Sequence, residues 1–248
     1  MKDITRLLCM VLLSFLVVTG CSRRDILDDY PVSGVEVRLD WSGVTEKLPE
    51  GVRIIFYPKD EKGRKIDTYL SVTGGEVKVP SGHYAVVIYN YDTETVLIRG
   101  EESYETIQAY TNFCKLGIAG TEKMVWGPDP LYVVNIDDLD IQNSEETLIL
   151  KLKPKLVIRT YSFSIKVQGL SNVSNVIGSI GGMADHYFLG KAYAMCDDYP
   201  INIDLNVKAG KIEGVFTTFG LPEAIITRLE IKLPVMMNLM IIKVDNSV

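Results

Sequence analysis

Apolar and polar residues alternate with a period of two along most of this chain. The clearest run is Val35-Glu36-Val37-Arg38-Leu39-Asp40-Trp41. Val, Val, Leu and Trp fall on one side, and Glu, Arg and Asp on the other. Successive strand side chains point to opposite faces, so the run predicts a half-buried antiparallel strand. Residues 52–57 predict the next strand, stopped by Pro58, and 59–64 a charged hairpin turn. Residues 66–72 return, Gly74-Gly75 predicts a turn, and 76–79 follow. Pro80-Ser81-Gly82 predicts another turn before 83–90 and 95–99. Short strands at this spacing, separated by Gly and Pro turns, predict a sandwich rather than alternating strands and helices.

Residues 101–111 fit a short helix or a strand equally well. Residues 112–130, with Trp126-Gly127-Pro128-Asp129-Pro130, predict a loop. Further strands are expected at 131–136 and 147–152, joined by an acidic loop. Lys153-Pro154-Lys155 marks the expected domain boundary, giving one sandwich over 33–153 and a second over 154–248. Alternation resumes at 156–167, with strands expected at 176–180, 187–189, 201–207, 211–216, 228–231 and 235–244. The last is largely apolar but too short to span a bilayer, and it contains Asn238, so it predicts a core strand. The way 35–39 and 156–167 both lead into a Gly/Ser turn and a Val is a faint internal echo.

The first twenty residues break this pattern. Lys2 and Arg6 precede a 12-residue apolar run, 7–18, interrupted by Ser14. That length suits a cleaved leader and is short of the roughly 20 apolar residues a spanning helix needs. The run ends in Val18-Thr19-Gly20-Cys21, which resembles the lipobox of bacterial lipoproteins. In such proteins a signal peptidase recognises residues such as Val18, Thr19 and Gly20, cuts before the cysteine, and the thiol carries lipid. The resemblance implies a leader over 1–20, lipid attachment at Cys21 and a polar tether over 21–32. The competing reading is an ordinary N-terminal helix with an incidental cysteine. An acyl chain gives about 0.8 kcal/mol per buried methylene, so several chains would hold the protein firmly on a membrane.

Without residues 1–20 the chain keeps 24 basic and 31 acidic residues, a net charge of −7. That argues against nucleic acid and against electrostatic docking on an anionic bilayer. A hydrophobic share of 47% argues against wholesale disorder. Cys114 and Cys196 lie 82 positions apart, on either side of the expected boundary, and are read as two separate thiols.

Candidate chemistry is sparse. The two histidines, His83 and His186, are far apart in sequence and each reads as an ordinary surface or half-buried side chain. No zinc-ligand spacing, nucleophile elbow or phosphate-binding loop is present. The glycines of Gly178-Ser179-Ile180-Gly181-Gly182 read most simply as a turn. Asp138 and Asp140 have the first spacing of a calcium loop, but Asn143 falls one place late and stands where glycine is needed. A solvated acidic loop is the simpler reading. The 13 tyrosines, several concentrated over 84–110, suit strand packing or a sugar-binding face. No catalytic residue, metal or cofactor is expected, and the chain is not expected to be an enzyme.

The lipobox, residues 35–41, Leu48-Pro49-Glu50-Gly51-Val52-Arg53-Ile54-Ile55-Phe56-Tyr57-Pro58, and Gly169-Leu170-Ser171-Asn172-Val173 with Gly181-Gly182-Met183-Ala184 together resemble one group. It is the fimbrillin-like surface lipoproteins of Bacteroidales, near their fimbrial anchor (minor fimbrium) subunits. The resemblance implies an all-β fold of two tandem transthyretin-like, Greek-key β-sandwich domains. It implies a lipoprotein of the cell outer membrane, exposed at the surface. Its partners would be membrane lipid through Cys21 and fimbrial subunits joined by β-strand complementation, without nucleic acid. In pilin relatives a trypsin-like protease removes the N-terminal strand and a strand of another subunit fills the groove, which is β-augmentation. A cut after Lys47 or Arg53 would do this here and would also release the lipid, so an anchor is expected to stay whole. With the last strand so near Val248, the second sandwich is either complete or open to a donor strand. The alternative function is a surface glycan-binding lipoprotein.

Overall fold

The computed structural model describes residues 32–60, 63–114, 123–168, 170, 176–197, 199–208, 210–222, 227–235 and 238–246. The leader, Cys21 and most of the tether lie outside these residues, as does most of 169–173. Among the described residues every regular element is a β-strand, so the all-β expectation holds. In chain order the strands are β1 (Val32–Leu39), β2 (Gly51–Pro58), β3 (Ile66–Ser71), β4 (Gly74–Pro80), β5 (Gly82–Asn90), β6 (Val96–Arg99), β7 (Gln108–Thr111), β8 (Phe113–Cys114), β9 (Met124–Val125) and β10 (Tyr132–Ile141). They continue with β11 (Leu148–Leu152), β12 (Lys155–Leu156), β13 (Arg159–Lys166), β14 (Ile177–Gly181), β15 (His186–Phe188), β16 (Tyr193–Met195), β17 (Ile201–Lys208), β18 (Lys211–Thr218), β19 (Thr227–Val235) and β20 (Asn238–Asn246).

The first sheet runs β11-β1-β4-β3-β2-β5-β10-β12. It curls over on itself, so that Val35, Val37 and Leu39 of β1 meet Ile54 and Phe56 of β2 and Val86 and Ile88 of β5 in one apolar cluster. The alternate residues of the same two strands, Ile55, Val87 and Tyr89, face a second cluster behind the sheet. Strands β2 and β5 are therefore buried on both faces, which is why they read as near-continuous apolar runs.

The second cluster is closed by a four-stranded sheet, β16-β15-β7-β6. Its apolar contents include Ile107 and Ala109 with Ala184, Leu189 and Phe219, so side chains from both sides of residue 153 share it. A further sheet, β13-β18-β17-β14-β19-β20, encloses Ile180, Ile201, Ile203, Phe216, Ile212 and Ile231.

Several elements differ from the sequence reading for physical reasons. Only 108–111 of the ambiguous 101–111 segment forms a strand; turns precede it. The expected loop 112–130 contains β8 and β9, because Val125 is buried in the second-half core and pairs in parallel with Ile201. The expected strand over 235–244 is split between β19 and β20, an antiparallel pair with Val235 opposite Asn238. Gly74 and Gly75 open β4 rather than forming the turn, which is Val72-Thr73. Gly74 has φ +104°, and a Cβ there would collide with the Val37 carbonyl oxygen. It is glycine because β1 passes directly against it.

Candidate functional site

Strand β1 is seated between two partners. On one side it pairs antiparallel with β4, Val35 opposite Val77 and Val37 opposite Gly75. On the other it pairs parallel with β11, Val35 opposite Leu148 and Leu39 opposite Leu152. Its inward residues Val35 and Val37 are essentially inaccessible, and Leu39 and Trp41 are buried. Full burial of such a side chain is worth about 1.5–3 kcal/mol. The Trp41 indole Nε1–H donates to the Val72 carbonyl at 2.6 Å, and the ring meets Tyr132 edge-on at 5.3 Å. Withdrawing β1 would expose an apolar groove and leave the facing edges of β4 and β11 without hydrogen-bond partners.

The chain linking β1 to β2 carries an exposed Lys47. Arg53 is placed differently from Lys47, although both were candidate cut points. It lies within β2, where its guanidinium contacts Asp67 at 2.7 Å, Glu101 at 2.6 Å and the Tyr89 hydroxyl at 2.8 Å. A cut there would divide a buried strand. Lys47 alone of the two is placed to separate β1 from the rest.

The face of β5 and β10 away from β1 carries a polar cleft of about 640 Å³. A β-bulge in β10, between Ile136 and Leu139, sets adjacent carboxylates to different partners. Asp137 accepts a hydrogen bond from the Tyr104 hydroxyl at 2.8 Å. Asp138 lies 3.1 Å from the Lys59 ammonium, which holds its carboxyl below the usual range, and 3.6 Å from His83 Nδ1. Asp140 approaches the other nitrogen of His83 at 3.8 Å. Asp138 and Asp140 thus face cationic or hydrogen-bonding side chains rather than converging on one calcium-sized space.

Burial pushes the phenols of Tyr57, Tyr89 and Tyr104 well above their ordinary range. The ammonium groups of Lys65 and Lys191 sit over the rings of Tyr57 and Tyr104, at 5.8 and 5.3 Å. Those ring faces are therefore covered. Among more exposed rings, Tyr69 and Tyr91 meet at 86°, and Tyr193 stacks on Phe188 at 4.6 Å. Neither pair forms the side-by-side open platform that a sugar ring would stack on.

Cys114 and Cys196 are not joined by a disulfide, and burial raises the Cys114 thiol. His83 is half-exposed, in line with the sequence reading. His186 is not an ordinary surface residue: it is 4% exposed and lies against Asp185 and Asp197. The adjacency of Asp185 and His186 is visible in sequence; the arrival of Asp197 depends on a hairpin that composition does not announce. Val18, Thr19, Gly20 and Cys21 lie outside the described residues. Among the described residues no helix is long and apolar enough to cross a membrane.

Comparison with known proteins agrees with the sequence resemblance. The family model of a domain of unknown function, DUF5119, matches residues 20–204. A Bacteroides ovatus protein named as a candidate fimbrium anchoring subunit, Fim4B, is 58% identical over 211 residues. The match takes in 85% of this chain but only 63% of that relative's length. A crystal structure described as a candidate adhesin from Bacteroides ovatus superposes with a TM-score of 0.85 at 50% identity, covering 92% of this chain and 87% of that one. The fimbrial anchor protein Mfa2 of Porphyromonas gingivalis has a TM-score of 0.54 at 14% identity, covering 81% and 77%, a likeness of fold. The chain belongs to the DUF5119 family.

Proposed function

We propose that this DUF5119 protein is a lipid-anchored subunit of the outer membrane that holds a fimbrium, or a related adhesive fibre, at the cell surface. Cys21 would carry the lipid and the tether up to residue 31 would keep the folded part off the membrane. Partner subunits would join by strand addition at an open sheet edge, where backbone hydrogen bonds supply affinity and alternate side chains set register. The protein acts by holding, and no catalytic step is assigned to it.

The observation that carries this reading is the likeness to the relative named as a fimbrium anchoring subunit, which extends over 85% of this chain. The seat of β1 supports an anchor that stays whole. Val35, Val37, Leu39 and Trp41 are core, and the same chain leads back through residue 32 to Cys21. A load on the fibre would reach the lipid through a strand hydrogen-bonded on both sides rather than through a peripheral tail.

Purification of surface filaments from cells making this protein tests the role. The protein should co-purify with fimbriae, and its deletion should release them into the medium. Absence from filaments, together with fimbriae unchanged by the deletion, would remove the reading.

A further inference from the structure

Outside the β1 seat and the cleft, one side-chain cluster has an organisation that packing alone does not require. Asp185 and His186 stand at the start of β15, and Asp197 follows the end of β16. The hairpin brings its two ends together: the Asp185 backbone N–H donates to the Met195 carbonyl at 3.1 Å, and the Asp197 backbone N–H to Asp185 Oδ2 at 2.9 Å. His186 Nδ1 lies 2.6 Å from Asp185 Oδ1 and 3.9 Å from Asp197 Oδ2. Asp185 and His186 are more than nine-tenths buried, and Asp197 stands half-exposed at the mouth. The His186 ring is fixed from one side by Phe188, edge-on at 5.7 Å.

Two carboxylates thus converge on one imidazole nitrogen that can carry a single hydrogen. Asp185 accepts that hydrogen. Asp197 is drawn to the same point but lies beyond hydrogen-bonding range of it, and its nearest cation, Arg99, is also 3.9 Å away. A divalent ion in place of the hydrogen would serve all three groups. Zinc–nitrogen and zinc–oxygen bonds of about 2.0–2.2 Å in a tetrahedral site put ligand atoms about 3.3 Å apart. The 3.9 Å separation can close to that value by rotation of the half-exposed Asp197 side chain, and the 2.6 Å Asp185–His186 contact must open by about 0.7 Å as the ion replaces the hydrogen between them. The imidazole donor selects against calcium and magnesium, which prefer oxygen, and favours a borderline ion.

We propose that Asp185, His186 and Asp197 bind one Zn²⁺, with water in the fourth position on the Asp197 side. The ion would tie the two ends of the β15–β16 hairpin together and so secure the four-stranded sheet, in which β15 pairs with β7. Zn²⁺ at Nδ1 requires the neutral ring to carry its hydrogen on Nε2 instead.

The test is Zn²⁺ titration of chelator-stripped protein by calorimetry, with melting followed in parallel. The expected result is one Zn²⁺ per chain and a higher Tm when it is bound. Asp197→Asn, an exposed change, should leave the apo melting temperature as it was and weaken binding 10–100-fold; His186→Gln should do at least as much. Co²⁺ in place of zinc should give the visible bands of a tetrahedral nitrogen–oxygen site in the wild type and lose them in His186→Gln. His83→Gln should change nothing. Failure of the wild type to take up stoichiometric Zn²⁺, or equal affinity in Asp197→Asn, would show that the three residues are joined by hydrogen bonds alone.

Discussion

At the scale of single residues, the strongest constraints are steric and dielectric. Ile54 is fully inaccessible between facing strands of the first sheet. Ile54→Ala should cost about 2–5 kcal/mol, read from the shift of a denaturant midpoint. Gly74→Val should also destabilise the protein, because the new side chain meets the Val37 carbonyl where β1 crosses β4. The buried phenols set an alkaline limit. For Tyr57, Tyr89 and Tyr104 the folded state favours the neutral form, since burial disfavours the phenolate. Their contribution is complete below the ordinary tyrosine value of about 10 and is lost as pH rises beyond it. A spectrophotometric titration should show a late-ionising tyrosine fraction whose titration coincides with loss of near-ultraviolet circular dichroism. Simple titration of every tyrosine near 10 with the fold retained would contradict this.

At the scale of elements, β1 was legible from sequence because a strict period of two separates its buried and solvent faces. Strands β2 and β5 were legible as strands, but their burial on both faces needed the second sheet to be seen. The glycines at 74 and 75 pointed to a turn two residues too late, since what demands glycine at 74 is a strand 37 residues earlier in the chain. The β15–β16 hairpin and its pairing with β7 were only partly legible. Three-residue strands carry too little pattern to declare a non-local partner. For the same reason the meeting of Asp185, His186 and Asp197 was hidden, as was the convergence of Arg53 with Asp67 and Glu101. The seat of β1 makes its own prediction. Mild trypsin should cut after Lys47 and leave the N-terminal fragment bound in native buffer, separating only in denaturant. Lys47→Gln should prevent that cut, and release of the fragment without denaturant would mean that β1 is held less firmly than its burial requires.

At the scale of the whole molecule, the first sheet and the four-stranded sheet share one apolar cluster, the third sheet encloses its own, and the first strand leads back along the chain towards Cys21. With β1 locked into the core behind it, Cys21 is one end of the proposed mechanical connection between membrane and fibre. The most direct measurement compares cells carrying wild-type protein with cells carrying Cys21→Ala, following both protein and fimbriae in the cell-bound and shed fractions. The account predicts that wild-type fimbriae stay with the cells together with this protein, and that Cys21→Ala moves both into the medium. Cell-bound Cys21→Ala protein, or fimbriae equally retained in both strains, would contradict it.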